Sequence, residues 1–204
     1  MANLIAKKRF FNLFKEARIH LIVLAFFIVA GIVVGVIIQT KTGASLEIYS
    51  ANSIALSDII SGSVKKSKLF FSAFLSLSFS LIVLFVFGLT RITSLLKPVY
   101  VFYQSILLGS SLTSLVLLKG VSGVINLLIF VLPINILNFL SLVIFSCVLY
   151  LARKQAKARH SSFFNMLLSY KEYLIITFVL ALFSCFLYGV IYPLLIKSVV
   201  VINY

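Results

Sequence analysis

The sequence predicts an all-α fold: a polytopic transmembrane helical bundle of five spans. Three observations predict it. The chain has 204 residues, of which 62% are hydrophobic. Its apolar stretches run to about 20 residues, the length a helix needs to cross roughly 30 Å of hydrocarbon. None of the four carboxylates, Glu16, Glu47, Asp58 and Glu172, falls inside an apolar stretch. Ionisable side chains are expensive in the bilayer core and mark function when they occur there.

Taken in order, residues 3–18 mix Leu4, Ile5, Phe10, Phe11, Leu13 and Phe14 with five basic residues, the pattern of an amphipathic helix lying on a membrane surface. The domain organisation is thus a basic cytoplasmic segment over 1–20 and a single transmembrane domain over 21–204. Span 1 covers 21–38. It is too long for the apolar core of a signal peptide, and no small-residue cleavage site follows it, so it reads as an uncleaved first span. Residues 40–68 form a long, Ser-rich loop that contains Ile54, Leu56, Ile59 and Ile60 beside Asp58. Span 2 covers 69–89, a short loop 90–98, span 3 covers 99–118, and 119–124 is a tight turn containing glycine. Span 4 covers 125–152. Its 28 residues would reach about 42 Å, more than an upright span requires. Pro133 lies within it and removes a backbone donor, so span 4 is expected to be kinked or broken at Pro133. Residues 153–172 are basic and then briefly amphipathic, span 5 covers 173–192, and an apolar tail follows Pro193.

The charge balance orients this scheme. Eighteen basic residues against four acidic ones give +14. The basic residues flank apolar runs, which accounts for them through topology and attraction to anionic lipid. No basic surface alternates with stacking aromatics in a soluble segment, so no nucleic acid is expected as a partner. With the N-terminus inside, the inner segments hold twelve Lys and Arg and the outer segments six, which places the N-terminus in the cytoplasm and the C-terminus outside.

Small and polar residues within the spans are the candidate contact residues. Gly31 and Gly35 form a GxxxG pair in span 1, and Ser72, Ser76 and Ser80 form a stripe of period four in span 2. Because lipid supplies no hydrophobic force between helices, such residues act by close packing. They serve either packing within the chain or a homo-oligomer seam or pore lining. Asn135 and Asn138 share a face of span 4 just after Pro133, and Gln104 lies in span 3. The amides satisfy backbone groups at the kink, the Ile129 carbonyl being one candidate, or line a site at a broken helix, or contact a span of a partner protein. His20 and His160 adjoin basic clusters and read as headgroup-level residues. Cys147 and Cys185 are isolated mid-span thiols with neither metal spacing nor a disulfide framework. No HExxH, GxSxG, Walker A or intramembrane Asp pair is present, so no catalysis, metal or cofactor is expected.

Several segments together resemble the stage II sporulation protein M family of bacterial membrane proteins. They are GLTRITSLLKPVYVFYQSILLGSSLTSL (residues 88–115), VLPINILNFLSLVIFSCVLYLARKQ (131–155) and YGVIYPLLIKSVV (188–200). The basic amphipathic stretch before span 1 is also similar. The resemblance implies a multi-pass protein of the bacterial cell membrane. It implies a non-enzymatic scaffold that anchors peptidoglycan-degrading partners, stage II sporulation proteins D and P, during engulfment in endospore formation. The loop at 40–68 matches nothing in that family. As its one long outer segment, it carries the candidate partner contacts Ile54, Asp58, Ile59 and Ile60. The alternative function is a membrane subunit of a transporter or permease, resting on the broken span, the amides and the serine stripe. Without intramembrane carboxylates or bases, that alternative would pass a neutral solute or work with a partner ATPase.

Overall fold

The computed structural model describes residues 14–42, 65–90, 93–126, 128, 131–191 and 193. The candidate partner contacts Ile54, Asp58, Ile59 and Ile60 lie outside the described residues, as do most of the amphipathic N-terminal segment and the tail beyond Pro193. Every described element is helical: α1 (Arg18–Thr42), α2 (Lys66–Leu89), a 3-10 turn (Thr93–Leu95), α3 (Leu96–Asn126), α4 (Leu132–Ala158), α5 (Phe163–Ser169) and α6 (Lys171–Phe186), whose last turns widen into a π-helix at Leu187–Ile191.

Four of these helices are long and apolar enough to cross a membrane: α1, α2, α4, and α6 with its π segment. α1 and α2 contain the expected spans 1 and 2, α4 holds the expected span 4 from Leu132 onward, and α6 with its π segment holds the expected span 5 as far as Ile191. The expected span 3 lies in α3, a helix of 31 residues that is not among those four.

The helix ends follow from their residues. At the end of α1 the hydroxyls of Thr40 and Thr42 donate back to the carbonyls of Val36 and Ile38, at 3.0 and 2.7 Å. Lys41 stands in the same turn, where the helix dipole favours a cation. At the end of α2 the Thr93 hydroxyl donates to the Phe87 carbonyl at 3.1 Å. The Arg153 guanidinium donates to the Leu89 carbonyl, so α4 caps α2. Pro98 lies in the first turn of α3, where its missing N–H has no intrahelical partner to lose.

Two boundaries differ from the sequence expectation. The tight turn expected at 119–124 is a single break at Gly120, with φ 55° and ψ −131°, and the chain is helical again to Asn126. That backbone position is open to glycine and strained for any residue with a Cβ. Span 4, expected from 125, gives way to a helix that starts at Leu132. Pro133 therefore stands in the first turn of α4. Beyond Ala152 the basic residues continue α4 to Ala158, because Lys, Arg, Gln and Ala are good helix formers.

α4 is the centre of the bundle. Half of its most apolar stretch is buried, against 17% for α1, 22% for α2 and 28% for α6. Ile144, Cys147, Val148, Leu149, Leu151 and Ala152 are all buried, with Leu24, Leu84, Val101 and Cys185 packed around them. Apolar side chains such as Phe26, Val29, Phe71, Leu75, Phe79, Ile175 and Phe178 point outward, as on helices that face lipid.

α1 and α3 run parallel. Phe27 meets Phe102, Gly31 meets Ser105, and Gln39 meets Ser110, so both numbers rise together along the seam. α2 runs against α3, with Phe87 beside Tyr100 and Ser80 beside Gln104. α6 runs back towards the start of α2, where Gly189 in the π segment lies against Phe70.

Candidate functional site

The α1/α3 seam is made by glycines. A Cβ on Gly31 would lie 2.6 Å from both the Phe102 carbonyl oxygen and the Ser105 Cβ. One on Gly35 would collide with the Ile106 carbonyl and come within 2.8 Å of the Ser110 nitrogen. Across the seam, a Cβ on Gly109 would collide with the Ile32 carbonyl. Three glycines from two helices thus bring the backbones together. This is the close approach by which small residues join helices in lipid. The GxxxG face is filled by α3 of the same chain, so a homo-oligomer seam would need another surface.

Elsewhere the helices are joined by hydrogen bonds. The Gln104 amide donates to the Tyr100 hydroxyl at 2.8 Å, Tyr100 donates to the Ser80 hydroxyl at 3.0 Å, and Ser80 donates to the Ser76 carbonyl at 3.0 Å. This relay ties α3 to α2. Ser80 is buried, whereas Ser76 and Ser72 are half-buried on the same helix, and the Ser80 side chain accepts from α3. Ser110 donates to the Gln39 side-chain oxygen at 3.2 Å, both groups being buried at one end of the α1/α3 seam.

Asn135 and Asn138 are both half-buried, but among the described residues only Asn138 of the two bonds to another helix. Its side-chain oxygen accepts from the Ser184 hydroxyl of α6 at 2.6 Å, and the same hydroxyl lies 3.1 Å from the Ile134 carbonyl. The Asn135 amide instead donates within its own helix to the Val131 carbonyl at 2.8 Å. The carbonyl it satisfies at the start of α4 is therefore that of Val131, not the expected Ile129.

A third polar group lies where α1 begins and α4 ends. His20 is buried, and its Nε2 shares a hydrogen bond of 2.9 Å with the Ser146 hydroxyl. Its ring stacks on Tyr150, with centroids 4.8 Å apart and planes 8° apart. Lys97, in the first turn of α3, is 0% exposed, and its Nζ has no hydrogen-bond partner among the described residues. It lies within electrostatic reach of His20, Cys147 and Arg153. A buried amine at a helix N-terminus is opposed by both desolvation and the helix dipole. Arg153 donates to Leu89 and lies over the Phe163 ring, 5.6 Å from its centroid.

Compared with family models, curated proteins and solved structures, the chain matches none. The residues themselves therefore carry the functional argument.

Two placements, those of His20 and Lys97, correct the sequence reading. His20 is packed inside the bundle, because its face of α1 turns to α4. His160 is exposed in the turn after α4, with φ 50°. Lys97, assigned to a short loop, is the largest fully buried side chain described. Gln39, Ser146 and Ser184 went unmarked because single Ser and Gln residues in apolar runs carry no spacing signal. Spacing from Asn138 could not have found Ser184, which is 46 residues away on another helix. Among the described residues no three His, Cys, Asp or Glu side chains gather into a metal-binding group.

Proposed function

We propose that this is a five-span, non-enzymatic scaffold of a bacterial cell membrane, N-terminus in the cytoplasm and C-terminus outside, that holds peptidoglycan-degrading partners during engulfment in endospore formation. One observation carries the scaffold reading: four sets of polar side chains in the spans bond to one another across helix seams. Gln104, Tyr100 and Ser80, Gln39 and Ser110, Asn138 and Ser184, and His20 and Ser146 each link two helices. Groups committed to seams brace a rigid bundle, whereas a solute path needs polar groups turned towards water. α3 supports the fifth crossing, because it runs parallel to α1 along the glycine seam, as alternating spans 1 and 3 must. The sequence resemblance to the stage II sporulation protein M family supplies the process and the partners. The loop at 40–68, with Ile54, Asp58, Ile59 and Ile60, supplies an outer contact surface.

A transporter or permease subunit is the second reading. It is favoured by Asn138 lying half-buried two turns into a helix that begins within an apolar stretch. Co-purification of the tagged native protein, read by mass spectrometry, separates the two. Peptidoglycan hydrolases in the eluate, lost when Asp58→Lys is combined with Ile59→Ser and Ile60→Ser, support the scaffold. An ATP-binding subunit in their place overturns it. Reporter fusions after Lys157 and after Tyr204 should report cytoplasm and exterior respectively, and a shared side would remove the fifth crossing.

A further inference from the structure

Where α4 leaves the bundle there is a cleft of about 750 Å³. Three elements wall it: the end of α4 with Tyr150, Arg153, Lys154, and Lys157, the turn into α5 with Ser161 and Phe163, and the 3-10 turn with Ser94 and Leu95. No acidic side chain is among the described residues that line it. We infer that this cleft is a binding site for a phosphodiester, the headgroup of an anionic phospholipid whose glycerol and acyl end rests on the apolar wall.

Four observations converge on that ligand. Arg153 is held at the back of the cleft by the Leu89 carbonyl and the Phe163 ring. A guanidinium has five N–H donors, so the donation to Leu89 leaves others for a phosphate. Lys154 and Lys157 are exposed beside it, one helical turn apart. Ser161 lines the cleft and its buried Oγ has no hydrogen-bond partner among the described residues, so a rotation about χ1 can turn the hydroxyl to an acceptor oxygen there. The fourth is the apolar lining, Leu95, which is 77% exposed, and Phe163. The C-terminus of α4 contributes only about half a negative charge, against three full positive ones.

A free phosphate shares the charge chemistry but has no use for the apolar wall, and the position at the end of four membrane-length helices places lipid within reach. The inference needs the helices to lie in a bilayer. It does not need the scaffold role, so failure of one leaves the other standing.

The test uses the full chain reconstituted in vesicles of phosphatidylcholine, with and without phosphatidylglycerol, extracted and read by native mass spectrometry for retained lipid. Wild type should retain phosphatidylglycerol selectively. Lys154→Gln with Lys157→Gln should weaken retention about fivefold per lysine, roughly thirtyfold together. Ser161→Ala should weaken it further while leaving the fold intact. The matched control is Lys65→Gln with Lys66→Gln, which removes the same charge from the opposite end of α2. An equal loss in both double variants would reduce the effect to diffuse charge attraction and overturn the site. Displacement of the lipid by inorganic phosphate at equal concentration would overturn the lipid assignment in favour of a soluble anion.

Discussion

The seam between α1 and α3 and the seam between α4 and α6 join their helices by opposite means. The first has glycines on both sides, and backbone touches backbone at Gly31, Gly35 and Gly109. The second keeps its side chains and is fastened by Asn138 and Ser184, with Ile134, Ala181 and Cys185 buried around them. A glycine seam holds by shape, through many weak contacts that a single added side chain abolishes. A polar seam holds by a directed bond whose loss leaves the packing in place. In lipid, where apolar burial gives helices no net reason to associate, these are the two means available. The difference predicts that the first seam is brittle and the second forgiving.

The largest effect should come from Gly35→Leu. The new side chain would meet the Ile106 and Ser110 backbone, which cannot yield as a flexible side chain can. We expect a loss of about 3 kcal/mol or more, read as the midpoint shift in SDS-driven unfolding from mixed micelles. A smaller loss than that of Asn138→Leu would reverse the comparison.

Next comes Asn138→Leu, with an expected loss of about 1 kcal/mol and a ceiling near 1.7. A double-mutant cycle with Ser184→Ala should return a coupling of about 0.6 kcal/mol. Asn135→Leu serves as its internal contrast. Its amide bonds only within α4, so its effect on the association of α4 with α6 should be near zero. Equal effects at the two asparagines would mean that Asn135, too, fastens helices.

The smallest effect should come from Tyr100→Phe, which removes one hydroxyl from the Gln104–Tyr100–Ser80 relay and leaves the ring against Phe87. About 0.5 kcal/mol is expected in the same unfolding measurement. A loss as large as that of Gly35→Leu would place the α2/α3 seam in the brittle class.

Much of this architecture was legible in the sequence, and the illegible part has a physical pattern. Apolar runs locate α1, α2 and α6, because crossing a bilayer demands length and composition, and both are local properties. Gly31 and Gly35 declare a packing face by their spacing. What spacing could not say is which helix fills that face, since Gly109 lies some 70 positions downstream. The same limit hid the bond from His20 to Ser146, 126 residues apart. Hydropathy reports depth and not direction, so His20 and Lys97 read as interfacial from their basic neighbours and are buried instead. The junction of α3 and α4 misled for a different reason. Glycine and proline both announce a break, but only the backbone shows that Gly120 takes it with a positive φ and that Pro133 falls in the first turn of α4.

The parallel pairing of α1 with α3 also sets an order of events during synthesis. Gln39 enters the membrane 71 residues before Ser110 exists to meet it. At roughly 5–20 residues per second, that interval is about 4–14 s. His20 waits for Ser146 across 126 residues, about 6–25 s on the same scale. During these intervals α1 is a single helix with a glycine groove and two polar groups turned to whatever surrounds it. Its neighbours arrive out of sequence order: α2 is made first, yet α3 closes the glycine groove, and α4 completes the face at His20. The nascent protein therefore passes through a stage in which its first helix is inserted and unfinished, and release from the insertion machinery before α4 emerges would leave that helix open to pairing with a foreign one.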